Sequence, residues 1–184
     1  MFARLVDQAQ EGYFRAMLGR RAGDVIARAF TRPGHDLSHE YVTFAEQGGQ
    51  TVGMASGYTA EDHRHFTDEP LRSAAGRRRL RMAAFTLLTR RIVRFIDTVP
   101  DGDFYVRAVA VEPAHRGAGI GTLLMGSLEG TARAAGSVRL ALDVAAKNRD
   151  ARRLYERLGM TAEAESRKWF GLPDTNLVRM TKLL

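Results

Sequence analysis

One stretch, EPAHRGAGIGTLL at residues 112–124, constrains the fold of this chain more than any other part of the sequence. It joins a strand-like apolar run to a run with helical periodicity, and it contains Gly117, Gly119 and Gly121. The first amides of a helix have no intrahelical partner and carry the positive end of the helix dipole, so glycines at this junction favour an anion site. Arg116 adds a guanidinium to the same place. The alternative is a tight turn that only lets the helix pack close to the strand.

Two common phosphate-binding motifs do not match this spacing. A P-loop requires Gly-Lys followed by Ser or Thr, whereas Gly121 is followed by Thr122 and Leu123. The dinucleotide fingerprint requires G-x-G-x-x-G, whereas GAGIG has the spacing G-x-G-x-G. The anion hypothesis and the turn hypothesis both stay open on these residues alone.

Length and composition limit the class of protein. A chain of 184 residues with 45% apolar and 27% charged residues is typical of one globular domain. No apolar run reaches the roughly 20 residues of a membrane span, so no membrane partner is expected. Arg4 and Asp7 interrupt the N-terminal segment, which argues against a secretory signal and favours the cytoplasm. The absence of cysteine excludes disulfides, thiolate metal sites and an acyl-cysteine intermediate.

The net charge of +7 raises the question of a polyanionic partner. The arginines are scattered, with one cluster at Arg77, Arg78, Arg79 and Arg81. No aromatic residues alternate with that cluster, so a solvated surface is the preferred interpretation and nucleic-acid binding the weaker one. The run EDHRH at 61–65 has two histidines around an arginine, a pattern that predicts no metal site.

Periodicity and breakers predict the order of elements. Helices are expected over the first thirty residues, strands at 41–46 and 51–58, a loop at 59–76, a helix at 77–97, a strand at 104–111, a helix at 120–135, a strand at 138–144, a short helix at 150–158, and strands at 161–170 and 176–184. On the helix at 77–97, the apolar face is predicted to hold Ala84, Leu88, Ile92, Phe95 and Val99. This order predicts an α/β (α+β) fold with a mixed sheet.

Two motifs resemble the GCN5-related N-acetyltransferase (GNAT) superfamily. AVAVEPAHRGAGIGTLLM, ending at Met125, resembles its signature strand, Arg-x-x-Gly-x-Gly/Ala loop and helix. LDVAAKNRDARRLYERLGM, ending at Met160, resembles its next strand, asparagine and Leu-Tyr-x-x-x-Gly helix. The segment WFGLPDTNLVRM and the inserted helix resemble a subset of members. The resemblance implies a mostly antiparallel mixed sheet, splayed at its two central strands and flanked by helices, with a helix inserted before the signature strand.

The resemblance also implies a single domain over residues 1–184 that uses acetyl-CoA as acyl donor. Its parts would be N-terminal helices on the acceptor side (1–36), an inserted loop and helix (59–100) and an acyl-CoA-binding core (104–160). The family usually opens with a strand, whereas this sequence predicts a helix there.

Cofactor-binding residues are carried over from the family position by position. The resemblance implies that pantetheine pairs with backbone at Val109, Ala110 and Val111, and that the pyrophosphate lies against Arg116, Gly117, Ala118, Gly119, Ile120, Gly121 and Thr122. Asn148 would contact the cofactor arm, or else it only caps the short helix. Tyr155 would be the general acid that protonates the leaving thiolate, or else a core tyrosine.

The general base stays open. Many family members carry a glutamate on the signature strand, and that place falls at Tyr105 here. The carboxylates considered instead are Asp101, Asp103, Asp143, Glu40 and Glu46. An enzyme without a dedicated base, which collects a neutral amine, is the other alternative.

The resemblance implies transfer of an acetyl or short acyl group from acyl-CoA to a primary amine of a small molecule or a protein. Because the chain has no cysteine, direct transfer within a ternary complex is expected. The alternatives are a non-catalytic CoA-binding sensor of the same fold and, from charge alone, a nucleic-acid-binding protein. The terminal strands are compatible with a homodimer.

Overall fold

The computed structural model describes residues 1–166 and 176–184. Its helices are α1 (Phe2–Ala9), α2 (Tyr13–Leu18), α3 (Ala22–Phe30), α4 (Ala60–His65), α5 (Glu69–Ala75), α6 (Arg79–Ile96), α7 (Ile120–Ala134) and α8 (Arg149–Arg157). Its strands are β1 (Val42–Gln47), β2 (Gln50–Thr59), β3 (Asp103–Val111), β4 (Arg139–Ala145), β5 (Thr161–Glu165) and β6 (Leu177–Leu183). Within these described segments, no helix combines the length and the apolarity that a membrane span needs.

The strands form one six-stranded sheet in the order β1-β2-β3-β4-β6-β5. Only β3 and β4 run parallel, and every other neighbouring pair is antiparallel. The parallel ladder runs from Asp103, opposite Arg139, to Val106, opposite Leu142, and ends there. Beyond that point β3 and β4 diverge, so the predicted mixed sheet with a splay between its two central strands is confirmed.

A β-bulge lies where the splay begins. Ser56 of β2 faces Ala108, and Gly57 faces Val106, so Arg107 is the extra residue of β3. A bulge reverses the alternation of side chains at one point. As a result, Ala108 packs with the N-terminal helices whereas Val106 packs on the opposite face of the sheet.

Each face of the sheet has its own hydrophobic core. On one face α1, α2, α3, α5 and α6 cover the small side chains of β3, among them Ala108 and Ala110. On the other face α7 and α8 cover larger ones, among them Val106 and Leu142. The splay therefore opens a path between two helical layers.

The predicted loop at 59–76 is wrong, because the structure has α4 and α5 there. Thr59 and Asp62 form a capping box, in which the Asp62 amide donates to Thr59 Oγ1 at 3.0 Å and the Thr59 amide donates to Asp62 Oδ2 at 3.0 Å. Pro70 lies in the first turn of α5, where its missing N–H costs nothing. These local capping signals outweigh the polar composition that suggested a loop.

The predicted apolar face of the inserted helix is wrong in part. Ala84 and Leu88 are exposed, Leu88 to 64%, whereas Ile92, Phe95 and Val99 of that face are half-buried, and Met82 and Thr89 are buried. Packing against α2 decides the orientation, since Tyr13 meets Phe85 edge-on with ring centroids 5.3 Å apart. The apolar arc of α6 is wider than the area that α2 can cover, so part of it stays exposed.

The remaining boundaries differ by little from the predicted ones. The N-terminal helical region divides into three helices, with breaks at Glu11-Gly12 and at Gly19. The strand predicted at 161–170 corresponds to β5, which ends at Glu165. Residues 167–170 of that prediction lie outside the described residues, as does the segment from Trp169 to Thr175 of the family-like C-terminal motif.

Candidate active site

The splay opens into a cleft of about 840 Å³, here called the splay cleft. Its walls are the diverging ends of β3 and β4, the α1–α2 connection, the inner side of α6, the loop at 115–122 and the start of α8. Both helical layers contribute to it, as expected of an opening that passes through the sheet.

The glycine loop presents a row of free backbone amides at one end of the splay cleft. Gly117 and Gly119 both have φ of +80°, a conformation that side chains disfavour, and a Cβ at either would meet no atom within 4 Å. None of the amides from 117 to 122 donates a hydrogen bond within the described residues. The next amide, of Leu123, donates to Gly119 O at 3.0 Å. This set of free donors at the start of α7 fits a pyrophosphate.

The geometry of the loop is compatible with both roles that its glycines suggested. Gly121 has no positive φ, and a Cβ there would come within 3.1 Å of Leu154 on α8. This third glycine therefore permits close helix packing, whereas Gly117 and Gly119 keep the donors bare. His115, beside the loop, lines the splay cleft, and within the described chain its buried Nδ1 has no hydrogen-bond partner.

One edge of β3 faces the splay cleft with its backbone. In an antiparallel ladder the residues alternate between facing the partner strand and facing away. The Glu112 amide donates to Val52 O of β2, which by alternation places the polar groups of Val109 and Val111 on the side away from β2. Ala110 is in the opposite register, so its backbone belongs to the ladder with β2 and its side chain to the core. Val109 and Val111 thus have the orientation that an added extended chain requires, and Ala110 does not.

Side chains already occupy part of this edge. The Val111 carbonyl accepts from Gln8 Nε2 at 3.1 Å and from Arg116 Nε at 3.3 Å. The Arg107 carbonyl accepts from Gln10 Nε2 at 2.9 Å. Two amide side chains of the α1–α2 region therefore satisfy β3 carbonyls that β4 leaves free.

Asn148 and Tyr155 lie on the opposite wall. Asn148 caps α8, because its Oδ1 accepts from the Ala151 amide at 3.1 Å. Tyr155 is 8% exposed and lines the splay cleft from the buried side of α8. Burial raises the pKa of the Tyr155 hydroxyl to about 12. The hydroxyl is therefore protonated throughout the neutral range.

Of the five carboxylates considered as bases, the structure brings only Asp143 to the splay cleft. Its carboxylate accepts from Arg179 Nε at 2.9 Å, from Arg179 Nη2 at 2.7 Å and from the Tyr105 hydroxyl at 2.9 Å. Asp143 and Arg179 are both buried, with side chains 3% and 7% exposed. These three donors hold the carboxylate in place and neutralise it.

The other four carboxylates have structural partners or lie away from the splay cleft. Asp103 accepts two hydrogen bonds from Arg139, and Asp101 pairs with Arg64. Glu40 accepts from the Gly34 amide and the Ser38 hydroxyl near the end of α3, and Glu46 is exposed on the edge strand β1.

Sequence reasoning missed the contribution of the α1–α2 connection. Glu11 lines the splay cleft and pairs with Lys147 of the opposite wall at 3.0 Å. It has φ of +50°, the one positive φ of a non-glycine residue in the described chain. Strained backbone of this kind is concentrated at functional sites. The dipeptide Glu11-Gly12, a break inside a helical pattern, was the available signal.

His63 and the arginine cluster are not part of the lining of the splay cleft. His63 stacks on Tyr58 with ring centroids 5.6 Å apart, and the described residues contain no group of three or more metal-ligating side chains close together. Arg81 donates to carbonyls of α2, and the cluster from Arg77 to Arg81 is absent from the lining of the splay cleft.

A splayed sheet, a bare amide loop at the start of a helix and a tyrosine on the facing helix define an acyltransferase class of fold and site. The Acetyltransferase (GNAT) family profile matches residues 6–160, which is most of the chain. The chain therefore belongs to the GNAT acetyltransferase family, and its general chemistry is acyl transfer. Among curated proteins, no sequence matches it significantly.

Solved structures show the same fold. One acetyltransferase is 24% identical, and the match covers 99% of this chain and 92% of that one with a TM-score of 0.68. An N-acetyltransferase from Staphylococcus aureus Mu50 is 18% identical, with 98% and 92% covered and a TM-score of 0.68. Ard1 from Thermoplasma volcanium is 16% identical, with 79% and 72% covered and a TM-score of 0.53.

Proposed function

We propose that the protein transfers an acetyl or short acyl group from acyl-CoA to a primary amine. The observation that carries this proposal is the row of free amides from 117 to 122, placed next to the unpaired edge of β3. A pyrophosphate and an amide-containing arm are the two parts of one ligand that these features would hold together.

The residues present fit acyl-CoA. The amides at 117–122 and Arg116 would hold the pyrophosphate, and the backbone of Val109 with the amide of Val111 would pair with the pantetheine arm. Asn148 lies on the facing wall of the splay cleft, where it would contact the same arm. When bound, acyl-CoA supplies an activated thioester carbonyl.

Tyr155 is proposed as the general acid. Its hydroxyl is protonated at neutral pH because burial raises its pKa, so it can donate a hydrogen bond to the sulfur as negative charge develops there. The amine forms the new C–N bond as the C–S bond breaks, by direct transfer; an acyl-cysteine intermediate is excluded because the chain has no cysteine.

No dedicated base is assigned among the five carboxylates considered. Asp143 reaches the splay cleft but is neutralised by Arg179. The proposal therefore has the acceptor bind as the neutral amine; after attack the amine proton passes to water in the splay cleft, and water restores the proton that Tyr155 gives to the thiolate.

The rest of the chain is assigned accordingly. Residues 1–184 would form one N-acetyltransferase domain, with 104–160 as the acyl-CoA core. The helices within 1–36 and the inserted helix α6 would surround the acceptor. Since acyl-CoA is an intracellular metabolite, the proposed place of action is the cytoplasm.

Calorimetric titration of acetyl-CoA tests the proposal. The wild type should bind saturably, and Gly119→Glu should abolish binding because its carboxylate would lie among the phosphate-binding amides. Gly119→Ala controls for backbone strain, since it has the same φ without the charge. Gly136→Glu controls for the charge, because Gly136 also has a positive φ and lies at the other end of α7.

A wild-type protein that is folded but binds no acetyl-CoA would refute the proposal. Binding that Gly119→Glu and Gly136→Glu weaken equally would move the pyrophosphate away from this loop. Binding with no transfer to any amine, unchanged by Tyr155→Phe, would favour a CoA-binding sensor.

A further inference from the structure

Arg107 occupies an unusual position on the acceptor side of the splay cleft. It is the extra residue of the β3 bulge, which turns its side chain onto the same face as Ala108, beneath the N-terminal helices. There its guanidinium lies 6.0 Å from the ring centre of Phe14, and its side chain is only 10% exposed. A buried cation placed by a backbone irregularity calls for an explanation.

Its hydrogen bonds within the protein are incomplete. Arg107 Nε donates to Asp36 Oδ2 at 2.9 Å, and the two terminal nitrogens donate to no group in the described part of the chain. Both terminal nitrogens keep some contact with solvent, and Arg107 lines the splay cleft. The distal edge of the guanidinium, formed by Nη1 and Nη2, thus has four N–H donors free for a ligand.

The charge on Arg107 is permanent. Burial is the largest single effect and lowers the pKa of the guanidinium, but the carboxylate of Asp36 and the nearby Tyr58 and Tyr105 together outweigh it, so the net pKa is raised. Asp36 is a third exposed and accepts only from Nε, so it leaves the distal edge of the guanidinium, formed by Nη1 and Nη2, free.

The surroundings select the chemistry of the ligand. Tyr13, Phe85, Ile92 and Ile96 make this end of the splay cleft largely apolar, and Arg179 already neutralises the nearby Asp143. In an apolar pocket an arginine fork with two free N–H pairs matches the planar, charged carboxylate. An amine without a carboxylate would cover the guanidinium without accepting its hydrogen bonds.

We propose that Arg107 binds a carboxylate of the acceptor, and that the acceptor is a small amine bearing a carboxylate, as a free amino acid does. This inference rests on the proposed function, because it concerns the second substrate of the same site. It makes Arg107 a specificity-determining residue. A purely structural role, in which Arg107 only ties β3 to Asp36, would affect stability and leave substrate preference unchanged.

The experiment compares matched acceptors. The twenty proteinogenic amino acids are assayed with acetyl-CoA, each against its own amide, with kcat/KM expressed per neutral amine so that the different basicities cancel. At least one amino acid should be preferred over its amide by about 10- to 100-fold, the range of a hydrogen-bonded charged pair. In Arg107→Gln that ratio should fall to about one, and in Arg107→Lys to an intermediate value, since lysine keeps the charge without the fork.

Three controls separate the explanations. Arg133→Gln removes an arginine that pairs with Glu129 far from the splay cleft, and it should leave the ratio unchanged. The double variant Arg107→Gln with Asp36→Asn removes both charges of the pair, so a loss of preference there cannot come from a stranded carboxylate. Titration with acetyl-CoA shows that each variant is folded and retains its donor site.

Each outcome decides. If the wild type binds no acetyl-CoA, the proposed function fails before the inference is reached. If it binds acetyl-CoA but acetylates amides as well as amino acids, or acetylates neither, the inference is wrong and the proposed function survives. A preference for amino acids that persists in Arg107→Gln would also overturn it.

Discussion

Tyr155 combines a packing role with the chemical role proposed for it. Its ring is part of the core under α8, together with residues of α7 and β4. The residue also borders the splay cleft, and its raised pKa would keep the proton available to a developing thiolate. A tyrosine with the ordinary pKa near 10 would lose part of that proton in mildly alkaline solution.

We expect Tyr155→Phe to lower kcat by at least ten-fold and to change the Kd for acetyl-CoA by less than three-fold, because only the proton donor is removed. Steady-state kinetics and calorimetry measure the two effects. Since the folded-state pKa is about 12, the acid form should persist, and kcat of the wild type should not fall between pH 8 and pH 10. An equally large loss of kcat in Tyr41→Phe, which lies outside the splay cleft, would contradict the role of Tyr155.

At the scale of elements, the pair of Asp143 and Arg179 joins three parts of the fold. Asp143 belongs to β4 and Arg179 to β6, and Arg179 also donates to the carbonyls of Phe95 and Thr98 at the end of α6. The inserted helix is thereby attached to the sheet beside the splay cleft. A buried pair of this kind is costly to break by removing one partner, since the other charge is left without compensation.

Asp143→Asn is therefore expected to lower the free energy of unfolding by about 3–5 kcal/mol. Adding Arg179→Met should cost less than the sum of the two single substitutions by at least about 1 kcal/mol, because the stranded charge is then gone. Urea denaturation of the four proteins completes the cycle. Strict additivity would mean that the two side chains contribute independently.

At the scale of the whole molecule, the splay divides one sheet into two halves, β1–β3 and β4–β6. The parallel contact between β3 and β4 is short, and beyond it the halves are bridged by α7, which packs on strands of both, and by side chains such as those of Glu11 and Lys147. A ligand that lies between the diverging strands adds contacts to both halves. Its binding should therefore stabilise the molecule as a unit.

Hydrogen exchange with and without saturating acetyl-CoA tests this expectation. Protection should increase at the amides of Val109, Val111 and residues 117–122, which have no partner before binding, and not in β5 at the far edge of the sheet. The unfolding free energy should rise by about 2.7 kcal/mol when the ligand is at a hundred times its Kd. Protection confined to the glycine loop would mean that the cofactor arm does not enter the splay.

Much of the fold and the conformation of the glycine loop were predictable from the sequence. Gly117 and Gly119 identify a junction of strand and helix where the backbone adopts a positive φ that favours glycine, and that requirement is local to the backbone. The order of strands and helices follows from hydrophobic periods of two and 3.6 residues, which are also local. The capping box at Thr59 is equally local, so the sequence contained the signal for a helix where a loop was predicted.

The tertiary structure decided which residues meet. Arg107 becomes a free donor in the splay cleft only because β2 and β3 pair with a bulge, and Asp143 is held in an ion pair only because β6 places Arg179 against it. Neither partner is specified by spacing, since Asp36 lies 71 residues from Arg107 and Arg179 lies 36 residues from Asp143. Periodicity in the sequence indicates which face of each element is apolar, whereas register and packing determine which polar groups meet in one cavity. Local backbone chemistry thus determined the class of this protein, and long-range pairing determined the contents of its site.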